Sequence, residues 1–185
     1  RGIVNKVGST ALHLACLVDT EAMCVPRDRA CDSVSASVIN AILSDADDDD
    51  QHHLLWSNVV NHEGFTALQY ASRGGRSSAV KALLASGADA NLSNDSSATP
   101  LHFAIEGHTR CASGRIELLT RNAYKRVVCS LLEAGANPNP VTSWLSIPLR
   151  TALRSEANSV SDFEAVVCAA AEVWSGRSPF IHLDV

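Results

Sequence analysis

Aromatic side chains are scarce in this sequence, at 5% of 185 residues, although 46% of the chain is hydrophobic. A core built from it must rest on Ala, Val and Leu, which suits small helices packed closely together. No apolar run approaches the ~18 residues that would mark a membrane span, and no signal peptide is visible. Positive charge is also lacking. The formal net charge is −5, which argues against a general nucleic-acid binder. There is no GxSxG, no HExxH and no phosphate-binding glycine loop, so no familiar catalytic motif is present and the chain is not expected to be an enzyme. A Cys–His dyad such as Cys31 with His52 would have to form in space, unannounced by sequence. No two of the six cysteines form a CxxC pair. Cys16, Cys129 and Cys168 lie on apolar helical stretches and read as buried free thiols of a reducing compartment. Cys24 and Cys31, with His52 and His53, match no common zinc spacing. The acidic run Asp45, Asp47, Asp48, Asp49 and Asp50 lacks the Gly-hinged ligand spacing of a calcium loop and reads as a solvated surface segment. No cofactor or metal is therefore expected.

What the chain does have is a repeat. Residues 61–93 predict a turn, a short helix, a tight turn, a second helix and a stop. Gly64 allows a bend, and Thr66 is a good N-cap for a helix carrying Leu68, Tyr70 and Ala71. Gly74-Gly75 breaks that helix. Ala79, Val80, Leu83 and Leu84 form the apolar stripe of the second helix. Gly87 stands where a helix ends in the left-handed conformation, followed by the turn-prone Asp89-Ala90-Asn91. The next Thr-x-Leu begins 33 residues after Thr66, in Thr99-Pro100-Leu101-His102-Phe103-Ala104. That hexapeptide, T-P-L-H-x-A, at that period resembles the ankyrin-repeat family. The resemblance implies an all-α ankyrin-repeat solenoid of stacked helix-turn-helix units with β-turn or hairpin fingers. His13 and His102 then read as structural hydrogen-bonders that tie a helix to the neighbouring loop.

The register divides residues 1–185 into a single domain of four repeats, approximately 5–60, 61–93, 94–139 and 140–175, with 176–185 as a capping tail. The abrupt start at Arg1-Gly2-Ile3-Val4 reads as a piece of a longer protein. Repeat one carries Thr10-Ala11-Leu12-His13-Leu14-Ala15 and a second helix expected at Val34 to Leu43. About 15 residues are inserted between its helices, and the finger that follows, which contains Trp56, is about 8 residues longer than the ruler. Repeat two has Ala67 and Gln69 where the hexapeptide has Pro and His, which is expected to forfeit the histidine's hydrogen bond. Repeat three carries a second insertion, over His108 to Asn122, expected to lengthen its second helix at the front. Repeat four aligns Ile147-Pro148-Leu149-Arg150-Thr151-Ala152 with the hexapeptide, and the smaller side chains of its second helix suit a terminal repeat.

The resemblance further implies a function, binding another protein, and an intracellular setting, cytoplasmic or nuclear. Partners of such arrays meet the finger tips and the concave surface of the first helices. The matching tips are His62, Glu63, Asp95, Ser96, Ser143 and Trp144. The matching helix-surface positions include Gln69, Ser72, Arg73, Phe103, Glu106 and Arg150. Trp144, Trp56 and Arg73 are the anchors to expect, because aromatic and arginine side chains dominate interface energetics. The insertion of repeat three is Arg-rich, so Arg115 and Arg121 mark a secondary surface suited to an acidic peptide or phosphate. The alternative to a free adaptor or scaffold is a regulatory array within a larger enzyme or channel.

Overall fold

The computed structural model describes residues 4–17, 29–44, 56–111 and 117–138. Among the described residues, six helices follow in order: α1 (Ala11–Leu17), α2 (Arg29–Ser44), α3 (Ala67–Arg73), α4 (Ser77–Ala85), α5 (Pro100–Cys111) and α6 (Glu117–Glu133). Among the described residues the only β pairing is an isolated bridge between Val60 and Thr66. The helices form three hairpins, α1–α2, α3–α4 and α5–α6. First helices pack in one row, α1 on α3 on α5, and second helices in another, α2 on α4 on α6. This is an all-α stack in which each unit touches its neighbours.

The local reasons are the expected ones. Thr66, in extended conformation (φ −93°, ψ 161°), caps α3 by accepting from the Gln69 amide. Gly87 ends α4 at φ 85°, with its N–H on the Leu84 carbonyl and that of Ala88 on Leu83. Gly135 repeats the arrangement after α6, through Leu132 and Leu131. Between the rows lie Leu12, Leu68 and Leu101 from the first helices and Ile39, Leu83 and Leu131 from the second, all buried, with Ala71 and Ala104 fully buried among them.

Part of each inserted stretch is helix. In repeat one α2 begins at Arg29, ahead of the expected Val34. In repeat three α6 has 17 residues against 9 for α4, so the second helix is lengthened at its front as expected. The first helix is lengthened too: α5 has 12 residues against 7 for α3. The cause is local. Where Gly74-Gly75 stops α3, repeat three has Gly107-His108, and the helix runs on to Cys111. Cys16 is a buried free thiol, as expected, and Cys129 a partly exposed one. Cys24, Cys168, His52, His53 and the Asp45–Asp50 run lie outside the described residues. Among the described residues no group of His, Cys, Asp or Glu could hold a metal ion, and no helix is long and apolar enough to cross a membrane.

Candidate protein-interaction edge

Three turns project from the same edge of the stack, and one device builds all of them. In the first, the Asn5 side chain accepts from the amides of Val7 and Ser9, both at 2.9 Å. In the second, Asn61 accepts from Glu63 at 3.0 Å and Phe65 at 2.9 Å. In the third, Asn94 accepts from Ser96 at 3.1 Å and Ala98 at 2.9 Å. The same asparagine closes each turn through its backbone, its N–H donating four residues on and its carbonyl accepting from three residues on. An asparagine side chain mimics a backbone turn and so frees the tip from needing strands. The fourth residue of each turn is left-handed: Gly8 at φ 72°, Gly64 at 75° and Ser97 at 60°. The first two turns are joined by the His62 amide, which donates to the Val7 carbonyl at 3.0 Å. The third seats on the second, since the Asp95 carboxylate lies over the α-carbon of Gly64.

A second asparagine set fixes the spacing behind the tips. The Asn58 side chain accepts from the Asp89 amide at 2.8 Å and donates to the Gly87 carbonyl. One period later the Asn91 side chain accepts from the Asn137 amide and donates to the Gly135 carbonyl at 3.0 Å. Each asparagine thus holds the helix end of the following repeat. The sequence reasoning missed both sets, although Asn61 to Asn94 and Asn58 to Asn91 each repeat at 33 residues.

The hexapeptide positions carry the cross-links. The His13 ring accepts the Thr10 amide at Nδ1, 3.1 Å, so Nε2 bears the proton and donates to the Phe65 carbonyl at 2.9 Å. Burial lowers the His13 pKa, partly countered by its backbone hydrogen bonds with Phe65 and Val59. Repeat two does not forfeit this bond, contrary to expectation. Gln69 accepts the Thr66 amide at Oε1, 3.0 Å, and its Nε2 donates to the carbonyls of Leu92 at 2.9 Å and Ala98 at 3.3 Å. A glutamine amide presents an acceptor oxygen and a donor nitrogen at nearly the reach of a neutral imidazole's two nitrogens, so it performs the same tie. In repeat three His102 Nδ1 again meets the Thr99 amide and hydroxyl.

The predicted helix-surface positions therefore separate. Gln69 and Ser72 are fully buried and Phe103 nearly so, which corrects their assignment to the surface. Phe103 packs on Phe65 at 5.3 Å, and Phe65 on Tyr70 at the same distance. That aromatic row fills the junction of fingers and helices, where a one-residue reading of exposure from helical spacing fails. Arg73 and Glu106, one period apart, remain half-exposed and pair across repeats at 3.4 Å. Trp56 lies in a helical turn and packs half-buried against the core. The tips stand out as expected. His62, Glu63 and Asp95 are exposed and Ser96 is partly so. The Glu63 carboxylate is held by the Tyr70 hydroxyl, which donates to it at 3.2 Å while accepting from Asn61 Nδ2 at 3.1 Å. Ser143, Trp144, Arg150 and Arg115 lie outside the described residues, and of Arg121 only its place on α6 is described.

One further contact was unforeseen. Tyr124 on the lengthened α6 is buried, and its hydroxyl donates to the Arg73 carbonyl at 2.8 Å, at the end of α3. Its ring lies on Gly75 and its hydroxyl over Gly107. No local sequence signal announces this, because the carbonyl lies 51 residues away along the chain.

Helix hairpins stacked in two rows, with asparagine-locked turns along one edge and His or Gln ties between units, define an array of structural repeats. Two family matches agree with it: one described as ankyrin repeats (3 copies) covers residues 29–114, and one described as ankyrin repeat covers residues 97–143. The chain belongs to the ankyrin-repeat family. Ankyrin repeats are protein–protein interaction modules, and their fold is non-catalytic. Similar relatives include neurogenic locus notch homolog protein 1 of Homo sapiens and of Mus musculus, each 42% identical over 65 residues. The Danio rerio protein of that name is 43% identical over the same length. These matches cover 35% of this chain and 2% of each relative.

Proposed function

We propose that the chain is an adaptor or scaffold module that docks a partner protein along its finger edge, in one domain of four repeats. The observation that carries this is the identical locking of three successive turns, registered by the His62–Val7 bond, which holds Val7, His62, Glu63 and Asp95 out of the stack in fixed order. A preorganised tip binds without the ordering cost of a mobile loop. Arg73 and Glu106 extend the same face onto the first helices, and Trp144 belongs to the fourth turn by register.

The test is affinity capture from cell lysate with quantitative mass spectrometry, comparing wild type with a Glu63→Ala, Asp95→Ala, Trp144→Ala variant of unchanged circular dichroism. Partners lost from the variant support the finger edge. Partners retained in full overturn it and direct attention to the insertion of repeat three, where Arg115→Glu with Arg121→Glu is the next variant. A second reading, a regulatory array within a larger protein, is favoured by the relatives, of which the matched stretch is 2%.

A further inference from the structure

The finger edge is chemically graded along the stack, and the gradient specifies a partner. Five large apolar side chains stand exposed among the described residues: Val4 at 50%, Val7 at 43%, Leu14 at 43%, Val38 at 43% and Val60 at 48%. Val38 is on α2. The other four belong to the first two fingers and the first helix of repeat one. Val4 and Val60 occupy one position of adjacent turns, just before the locking asparagine. In the third turn that position is Ser93, which is exposed and polar. At the tip position Val7 gives way to Glu63 and then Ser96. On the first helices, exposed Leu14 gives way to buried Tyr70 and Phe103. Among the described residues, the exposed aliphatic side chains of the fingers and first helices thus lie towards the N-terminal end.

Acid takes over where it stops. Glu63 is steadied by Tyr70, and the Asp95 carboxylate sits over Gly64, one residue along the same turn. Neither carboxylate has a cationic partner among the described residues, and Arg73 of the neighbouring helix surface pairs with Glu106. At the other end Lys6 is exposed on the first tip. A cation of a bound segment is repelled there and attracted one and two turns later.

We propose that this edge takes a linear peptide segment of a partner protein in one orientation, aliphatic side chains over Val4, Val7, Leu14 and Val60, then Lys or Arg against Glu63 and Asp95. The inference rests on the finger-edge reading above and adds the partner's chemistry and polarity to it.

A displayed library of random peptides, selected on the purified chain, is the direct probe. Selection is run in parallel on Val7→Ser with Leu14→Ser, and on Glu63→Lys with Asp95→Lys, all at exposed positions and each checked for an unchanged melting temperature. Wild type is expected to enrich peptides in which an aliphatic cluster is joined to Lys or Arg. Their affinity is expected to fall about tenfold or more on either variant and to weaken with added salt. Peptides that depend on Val7 and Leu14 but are acidic, or carry no cation, would overturn the proposed chemistry while leaving the finger edge as the docking surface. Peptides that bind both variants as well as wild type, or an absence of any enrichment, would overturn the docking surface as well.

Discussion

Replacing Gly107 by Ala sets two effects of known size against each other. Gly107 lies inside α5, where Ala is the better helix former by about 1 kcal/mol. Propensity alone predicts stabilisation. The structure predicts the opposite, because a β-carbon at Gly107 would run into the Arg73 carbonyl oxygen and stand 2.7 Å from the Tyr124 hydroxyl and 2.9 Å from its ring. The carbonyl is backbone at the end of α3 and cannot swing aside as a flexible side chain would. Relief requires α5 to move away from α3 in a packed row, which costs about 1–3 kcal/mol. Displacing Tyr124 also breaks its bond to Arg73, stranding a buried hydroxyl and carbonyl for about 1–3 kcal/mol more. Net destabilisation of about 3 kcal/mol is expected, or about 6–12 °C in melting temperature for a chain of this size. Urea unfolding followed by far-UV circular dichroism measures it. Gly74→Ala is the control, since Gly74 sits at φ −79° and a β-carbon there would approach nothing closer than 3.4 Å. It should fall within about 0.5 kcal/mol of wild type. Adding Tyr124→Phe to Gly107→Ala removes one clash but not the carbonyl, so the pair should stay destabilised. A Gly107→Ala variant that matched or exceeded wild type in stability would refute this packing of α3, α5 and α6.

Three other outcomes follow from the same geometry. Gln69→Ala should cost about 2–3 kcal/mol by stranding buried backbone partners, whereas Gln69→His should be tolerated within about 1 kcal/mol; denaturant midpoints distinguish the two. His13 has a depressed folded-state pKa, so the unfolded chain binds the extra proton. Stability from this residue is present above the ordinary histidine pKa of about 6.5 and is lost as pH falls below it. His13→Gln, which copies the bonding of Gln69, should flatten that part of the melting temperature–pH curve, and an unchanged slope would refute the assignment. The Cys16 thiol is pushed up to about 12 by burial. Alkylation near about pH 8 should therefore spare Cys16 in the native chain while labelling Cys129, and unfolding should equalise them, as read by peptide mass spectrometry.

Much of this architecture was legible along the chain. Thr66, Gly74-Gly75 and Gly87 act through bonds and dihedrals within a few residues, so a linear reading finds them. The 33-residue interval found the repeats and, with them, the tips His62, Glu63 and Asp95. The asparagine ladder was legible in principle, since it obeys the same interval, but an asparagine in a turn has several uses and only its partners' positions select one. Gln69 shows a limit of another kind. Matching by residue type scored it as a lost histidine, while matching by donor and acceptor would have scored it as kept.

Sequence by itself determined the units: where the helices of the plain repeat, residues 61–93, start and stop, which stripe is apolar, and that each hairpin must stack on another to cover that stripe. Only the tertiary structure decided which side chains the stacking covers. Phe103 and Leu14 hold one position of the repeat, yet one is buried against Phe65 and the other stands in solvent. Tyr124 reaches a carbonyl from the neighbouring unit that no local pattern names. The reason is physical. Helix caps and turns are settled by interactions of short range along the chain, whereas burial and charge exposure at the binding edge belong to the contact between repeats.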